Sequence, residues 1–277
     1  MIVRVLLALL LVAVCPAGVA ICDEGAPRRL LIIGQGPDGH PPGSHEFMAG
    51  TRVLERLLQP HDRIETTVVK ADEPWPEGPE LIAKADGVVL LVTQGARWMQ
   101  NDPRRFDALV QLAQRGGGIV ALHWSVGAHE ARYIEGQLQV LGGSRGGPQR
   151  KYTVTETDVQ VVAPDHPITA GIDDYRVHDE FYYRLDLVRD GDHPVQPLLA
   201  AKIEGNDETC AWAWERPDGG RSFGFVCLHF HKNWDLPHYR RLVVQGVLWT
   251  LKLPVPEDGV DVSIEPEVLE LTAGQSR

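Results

Sequence analysis

Clusters of Lys and Arg are missing from this 277-residue sequence: 27 basic residues lie scattered against 38 acidic ones, a formal net charge of −11. Binding a phosphate backbone needs such clusters, so nucleic acid is not an expected partner. Beyond the first twenty residues there is no apolar run long enough for a bilayer, and no membrane span is expected. Internal repeats and low-complexity tracts are absent, as is the HExxH signature that places two zinc ligands on one helix. What remains is 43% apolar and 23% charged. That is an ordinary globular composition, with enough chain for one sizeable core.

Residues 1–20, MIVRVLLALLLVAVCPAGVA, place Arg4 before an apolar run from Val5 to Val14 and end on the small residues Gly18, Val19 and Ala20. This pattern predicts a cleaved secretory signal and a secreted or periplasmic protein. A lipid anchor at Cys22 is a poorer reading, because the bulky Ile21 precedes it. Export permits disulfides. Cys210 and Cys227 flank CAWAWERPDGGRSFGFVC, in which Asp218-Gly219 suits a two-residue hairpin turn. That turn would set the two cysteines opposite each other at a non-hydrogen-bonded pair, where Cα atoms lie closest. The spacing allows a cross-strand disulfide and equally allows two small buried thiols.

Continuous apolar runs at Arg28–Gly34, Ile64–Val69, Gly87–Thr93 and Gly118–Trp124 predict buried strands. Helices are expected over Glu46–Leu58, from its apolar spacing, and Asp102–Gln114, where Asp102 caps and Pro103 opens the first turn. Strands without polar alternation, separated by helices, indicate a parallel sheet covered on both faces. The fold class is therefore α/β, a doubly wound, mostly parallel sheet with an antiparallel hairpin extension. Lys151–Val162 alternates like an exposed antiparallel strand, and Pro237–Leu251 closes the fold as an amphipathic helix. The boundaries read as a signal over residues 1–20, one domain over 28–253, and a surface tail over 254–277. An uncovered hairpin edge would be a natural place for another copy to pair.

In such sheets ligands bind beyond the carboxyl ends of the parallel strands. After the first strand come His40, His45 and Glu46; after the fourth, His123-Trp124-Ser125; after the hairpin's return arm, His229 and His231. These imidazoles converge if the three strands run parallel.

The segments GGGIVALHWSVGA, DHPITAGI, HDEFYYRL, GRSFGFVCLHFHKNW and YRRLVVQGVLWTLKLPVP resemble the ThuA-like (trehalose-utilisation) family. GPDGHPPGSHEFMAG and LKLPVPEDGVDV resemble its secreted branch. The resemblance runs from about Leu30 to Val262. It implies a flavodoxin-like fold of the class I glutamine amidotransferase type and a link to sugar metabolism, with a small carbohydrate or sugar derivative as the ligand. True amidotransferases carry a nucleophilic Cys at the strand-to-helix elbow. His123-Trp124-Ser125 stands there in this chain, so the thioester route to ammonia is excluded.

The leading reading is a sugar-sized pocket in which His123, His229, Glu180 and Asp179 do acid–base work and His45, Trp124 and Trp234 bind substrate. His45, His123 and His229 would be ligands if the site holds a divalent metal, zinc first by donor type and manganese or iron if more oxygens join. A metal-free pair, His123 and His229, is an equal alternative. His40 and His231 read as peripheral, and His166-Pro167 as a turn before a short helix. Two further classes stand beside this one. The order Ser125, Asp179, His229 fits a serine hydrolase, although the elbow lacks its first Gly. A non-catalytic sugar-binding or scaffold module would use the same crevice without turnover.

Overall fold

The computed structural model describes residues 25–271, so the leader expected over residues 1–20 and the anchor site at Cys22 lie outside the described residues. In chain order the elements are β1 (Arg28–Gly34), α1 (Phe47–Leu58), β2 (Ile64–Lys70), α2 (Gly78–Lys84), β3 (Gly87–Leu91), α3 (Gly95–Asn101), α4 (Pro103–Gln114) and β4 (Gly118–Leu122). There follow α5 (Ile134–Leu141), β5 (Gly143–Ser144), β6 (Lys151–Val161), β7 (Tyr175–Tyr183), β8 (Asp186–Leu187) and β9 (Gln196–Ile203). The chain closes with β10 (Asn206–Glu215), β11 (Arg221–Phe225), α6 (Pro237–Thr250) and α7 (Pro266–Leu269). No helix among the described residues is long and apolar enough to cross a membrane.

Nine strands form one sheet in the order β2-β1-β3-β4-β11-β10-β9-β6-β7. β2, β1, β3, β4 and β11 are mutually parallel, and the remaining four add antiparallel. β3 and β4 are buried at every residue because helices cover both faces, which is why their sequences show no alternation. The chain leaves β1 toward β2 on one side and returns to β3 on the other. The strand order therefore reverses at β1, which opens a crevice beyond the carboxyl ends of the neighbouring strands.

Three expectations are corrected. The hairpin turn is not a two-residue Asp218-Gly219 loop. Arg216 pairs with Gly220 across Pro217, Asp218 and Gly219, and Gly219 sits in the left-handed region at φ 81°. Pro217 favours the type I turn and Gly219 the bulge after it, giving a three-residue loop that shifts the register by one. Val226 N then donates to Cys210 O, so Cys210 and Cys227 are offset rather than opposite; both are buried free thiols, with their side chains in contact. The hairpin also offers no free edge, because β11 pairs with β4 and β10 with β9; the sheet ends at β2 and β7. The tail does not simply lie on the surface: Val260 and Val262 join the core, and Val260 N donates to the buried Gln245 side chain.

Candidate functional site

His45, His123 and His229 are presented by three turns that each contain a non-glycine residue in the left-handed region: His45 at φ 53°, His123 at 51° and Leu228 at 81°. Such residues cost about 1–3 kcal/mol each and persist only where the surroundings hold them. The surroundings here are specific. His45 N donates to His229 O at 3.0 Å, and His231 N to Gly43 O at 2.8 Å, which stitches the loop after β1 to the loop after β11. Beneath them, Asp179 accepts from Leu228 N at 2.9 Å, His229 N at 3.1 Å and the Tyr239 hydroxyl at 3.0 Å.

The imidazoles converge as the strand-end argument predicts. His45 Nε2 lies 2.9 Å from His123 Nε2 and 3.0 Å from His229 Nδ1, and the last two are 3.2 Å apart. Glu180 Oε2 is 3.5 Å from both His123 Nε2 and His229 Nδ1. All four residues are at least nine-tenths buried. Two of the rings have a defined tautomer. His45 Nδ1 faces Asp38 Oδ2 at 2.7 Å, and His123 Nδ1 faces the Val226 carbonyl at 2.8 Å. Both partners only accept, so each Nδ1 carries the proton and each Nε2 turns a lone pair inward.

Burial pushes the His123 imidazole well below its ordinary pKa, and a proton there would also meet His45 and His229. Burial lowers His45 as well, against the pull of Asp38. Burial alone would raise the Asp38 carboxyl, but the hydrogen bonds and charges of His45 and His40 outweigh it and hold Asp38 well below the usual carboxylate range. Glu180 follows the same logic: desolvation is outweighed by His229, and the carboxyl is lowered. The centre therefore turns the Nε2 lone pairs of His45 and His123 and the Glu180 carboxylate toward one point, which His229 Nδ1 also faces. This group could hold a metal ion, since its four ligand atoms lie within 4.8 Å of one another. His45, His123, His229 and Glu180 would hold such an ion, which would supply Lewis-acid chemistry at the floor of the crevice.

A cavity of about 160 Å³ opens over this centre, lined by His40, His45, Trp124, His129, Arg145, Tyr152, Glu180 and Tyr182. Ligand pockets for drug-sized molecules run to ~300–1,000 Å³, so this one fits a small molecule or one ring of a longer one. The Tyr182 hydroxyl lies 3.3 Å from His123 Nε2, and burial raises the pKa of that phenol well above its ordinary value.

Of the residues expected from sequence, His45, His123, His229, Glu180 and Trp124 meet here. Asp179 does not: it is fully buried beneath the histidines, its oxygens taken up by backbone donors and Tyr239, so it positions His229 rather than facing substrate. Trp234 is also elsewhere, buried against Gly50 of α1. Ser125 cannot act as a nucleophile, because its Oγ is wholly buried, accepting from Val92 N at 2.7 Å and donating to Val92 O at 3.2 Å. His40 is closer in than expected. Its ring packs on His45 with centroids 3.7 Å apart, and its Nδ1 bonds Asp38 at 2.8 Å. His166 does cap a short helix, accepting from Ile168 N at 3.1 Å. Sequence reasoning missed Asp38, Tyr182 and Arg145. For Asp38 a signal existed, an acid two residues before one histidine and seven before another.

The family model for ThuA, described as trehalose utilisation, matches residues 39–250. Among solved structures, a protein described as ThuA-like from Bacteroides uniformis aligns with a TM-score of 0.62 at 17% identity, covering 85% of this chain and 95% of that one. A cytoplasmic protein from Salmonella typhimurium gives a TM-score of 0.56 at 16% identity, over 80% of this chain and 98% of that one. A β-galactosidase from Rahnella sp. R3 gives 0.53 at 14% identity, over 83% of this chain but 32% of that chain. At these identities the likeness is one of fold. No curated protein matches the chain at a significant level.

Proposed function

The chain belongs to the ThuA family, whose model spans most of its length, and on that footing we propose that it is a metal-dependent enzyme of carbohydrate metabolism acting on a saccharide or keto-sugar. One observation carries the reading: three imidazole nitrogens lie 2.9–3.2 Å apart, two of them with their protons held on the far side by Asp38 and the Val226 carbonyl. The inward lone pairs of His45 and His123, 2.9 Å apart, repel unless a cation sits between them. Metal-ligating histidines characteristically donate their other N–H to a carboxylate or carbonyl, as these two do. The donor set suits a divalent transition ion, zinc first.

Such an ion would polarise a sugar carbonyl or hydroxyl oxygen, or lower the pKa of a water. Glu180 completes the ligand set or, turned toward the cavity, takes a proton from the substrate as general base. Tyr182, neutral and donating, is placed to hydrogen-bond a sugar oxygen, and Trp124 offers an aromatic face to a pyranose ring. Trehalose-related sugars are the substrate class that the family description suggests. Glutamine hydrolysis forms no part of the reading, since neither described cysteine reaches the centre. In the same proposal the leader in residues 1–20 carries the chain out of the cytoplasm.

The test is turnover of a panel of keto-sugars and glycosides by the mature protein, before and after chelation and after adding back zinc, manganese or iron. Activity lost on chelation and restored by one of these ions supports the proposal. Activity indifferent to chelation in protein shown to be metal-free overturns it.

A further inference from the structure

Among the described residues Arg145 makes no ion pair, although the Glu180 carboxylate acts on it from a distance. Arg145 is 4% exposed, and its Nε and Nη1 are buried without any hydrogen-bond partner. Among the described residues no carboxylate lies within ion-pair distance of it. A guanidinium stays charged even where burial lowers its pKa, as it does here. Leaving such a group both buried and unpaired is destabilising, as breaking a buried ion pair is. The surroundings nevertheless hold it in place. Its backbone is bonded to the segment carrying His123, through Arg145 N to Val126 O and Ala128 N to Arg145 O, each 2.9 Å. Its guanidinium lies 4.3 Å from the centroid of the Tyr182 ring, the same ring whose hydroxyl reaches His123.

The charges of the site point to what fills this gap. Asp38 and Glu180 contribute two negative charges at the histidine centre, and a divalent ion cancels them. Arg145 is then left as one uncompensated positive charge on the wall of the same cavity. A neutral sugar would leave it so. A monoanion would not, and a planar carboxylate matches a guanidinium in shape and hydrogen bonding.

We propose that Arg145 binds a carboxylate of the substrate, so that the site takes an acidic sugar, a uronate or an aldonate, with its carboxylate on Arg145 and a neighbouring hydroxyl or carbonyl oxygen directed at the histidine centre. The second contact and the charge count rest on the metal reading above; the buried guanidinium without a hydrogen-bond partner does not. A phosphorylated sugar is the competing occupant and brings a second negative charge.

Calorimetric binding tests this, using the mature protein as purified with its metal content measured in parallel. The ligands are glucuronate, galacturonate and gluconate against glucose, galactose and glucitol, with glucose 6-phosphate as a further arm. At least one acid is expected to bind about tenfold or more tighter than its neutral parent, the scale of a charged hydrogen bond. Arg145→Met should bring that ratio to about one with metal content unchanged and the melting temperature no lower than wild type, and Arg145→Lys should fall between. The proposal is overturned if no acid of the panel outbinds its parent, if the preference survives in Arg145→Met, or if glucose 6-phosphate alone is preferred. Wild-type protein that binds no metal but shows an Arg145-dependent acid preference would remove the metal centre and leave this inference standing.

Discussion

Asp38 Oδ2 lies 2.7 Å from His45 Nδ1, and that bond decides which nitrogen of the His45 ring is free to face His123 and His229. Thr93, just beyond β3, donates to the same carboxylate oxygen at 3.0 Å, so the strands on either side of the crevice fix the ring together. Removing an outer partner of a ligating histidine typically weakens metal binding about 10–100-fold. Asp38→Ala is expected to lose affinity on that scale while keeping a native circular dichroism spectrum. Competition with a chromogenic chelator reads the change.

Asp179 answers two backbone donors in the turn before His229, and the site depends on that turn. Asp179→Ala strands Leu228 N and His229 N without a partner, at about 1–3 kcal/mol for each orphaned buried donor. A lower midpoint in chemical denaturation, together with weaker metal retention, is the expected result. Unchanged stability would mean that the turn does not need this carboxylate.

Ser125 hydrogen-bonds the main chain of Val92 in both directions and lies outside the histidine centre. Wild-type protein should show no labelling by a fluorophosphonate probe. Ser125→Ala should keep turnover on any substrate found while losing about 1–3 kcal/mol of stability, since Val92 N is orphaned. Covalent labelling at Ser125 would reverse this assignment.

Acid should loosen the fold through His166. Burial, and then the charge of Arg221, push its pKa from 6.5 to about 4, and its Nδ1 must stay unprotonated to accept from Ile168 N. A pKa lower in the folded state than in the unfolded one means that the unfolded chain takes up the proton first as pH falls. The stabilising contribution is thus complete above 6.5 and is lost on the way down to about 4. His166→Asn retains a capping oxygen but does not titrate, so its stability should decline less steeply between these limits. Equal slopes in parallel denaturation series would count against the assignment.

How much of this was legible in sequence follows from where each residue's environment is decided. β1 and β4 announce themselves as continuous apolar runs, and α4 by Asp102 and Pro103, because those signals are local. The convergence of His45, His123 and His229 was legible through one topological rule, the parallel direction of β1, β4 and β11. The antiparallel half was less so. β7 is last in the sheet order, yet it brings Glu180 and Tyr182 back to the centre, and nothing in HDEFYYRL separates the inward Glu180 from the structural Asp179. Arg145 follows two residues after a Gly-Gly pair and reads as an ordinary surface cation; only the packing of Tyr182 and the His123 turn shows that it is buried. The hairpin shift had a local cause, Pro217, which outweighed the Asp-Gly pair.

Metal stoichiometry decides whether the histidine centre is a metal site. Elemental analysis of protein purified without chelator, or dialysed against zinc, manganese or iron and then washed, should give about one ion per chain in the wild type and under about a tenth of that in folded His123→Ala. Wild-type protein that holds no metal and takes up none, or His123→Ala that binds as much as wild type, would contradict it.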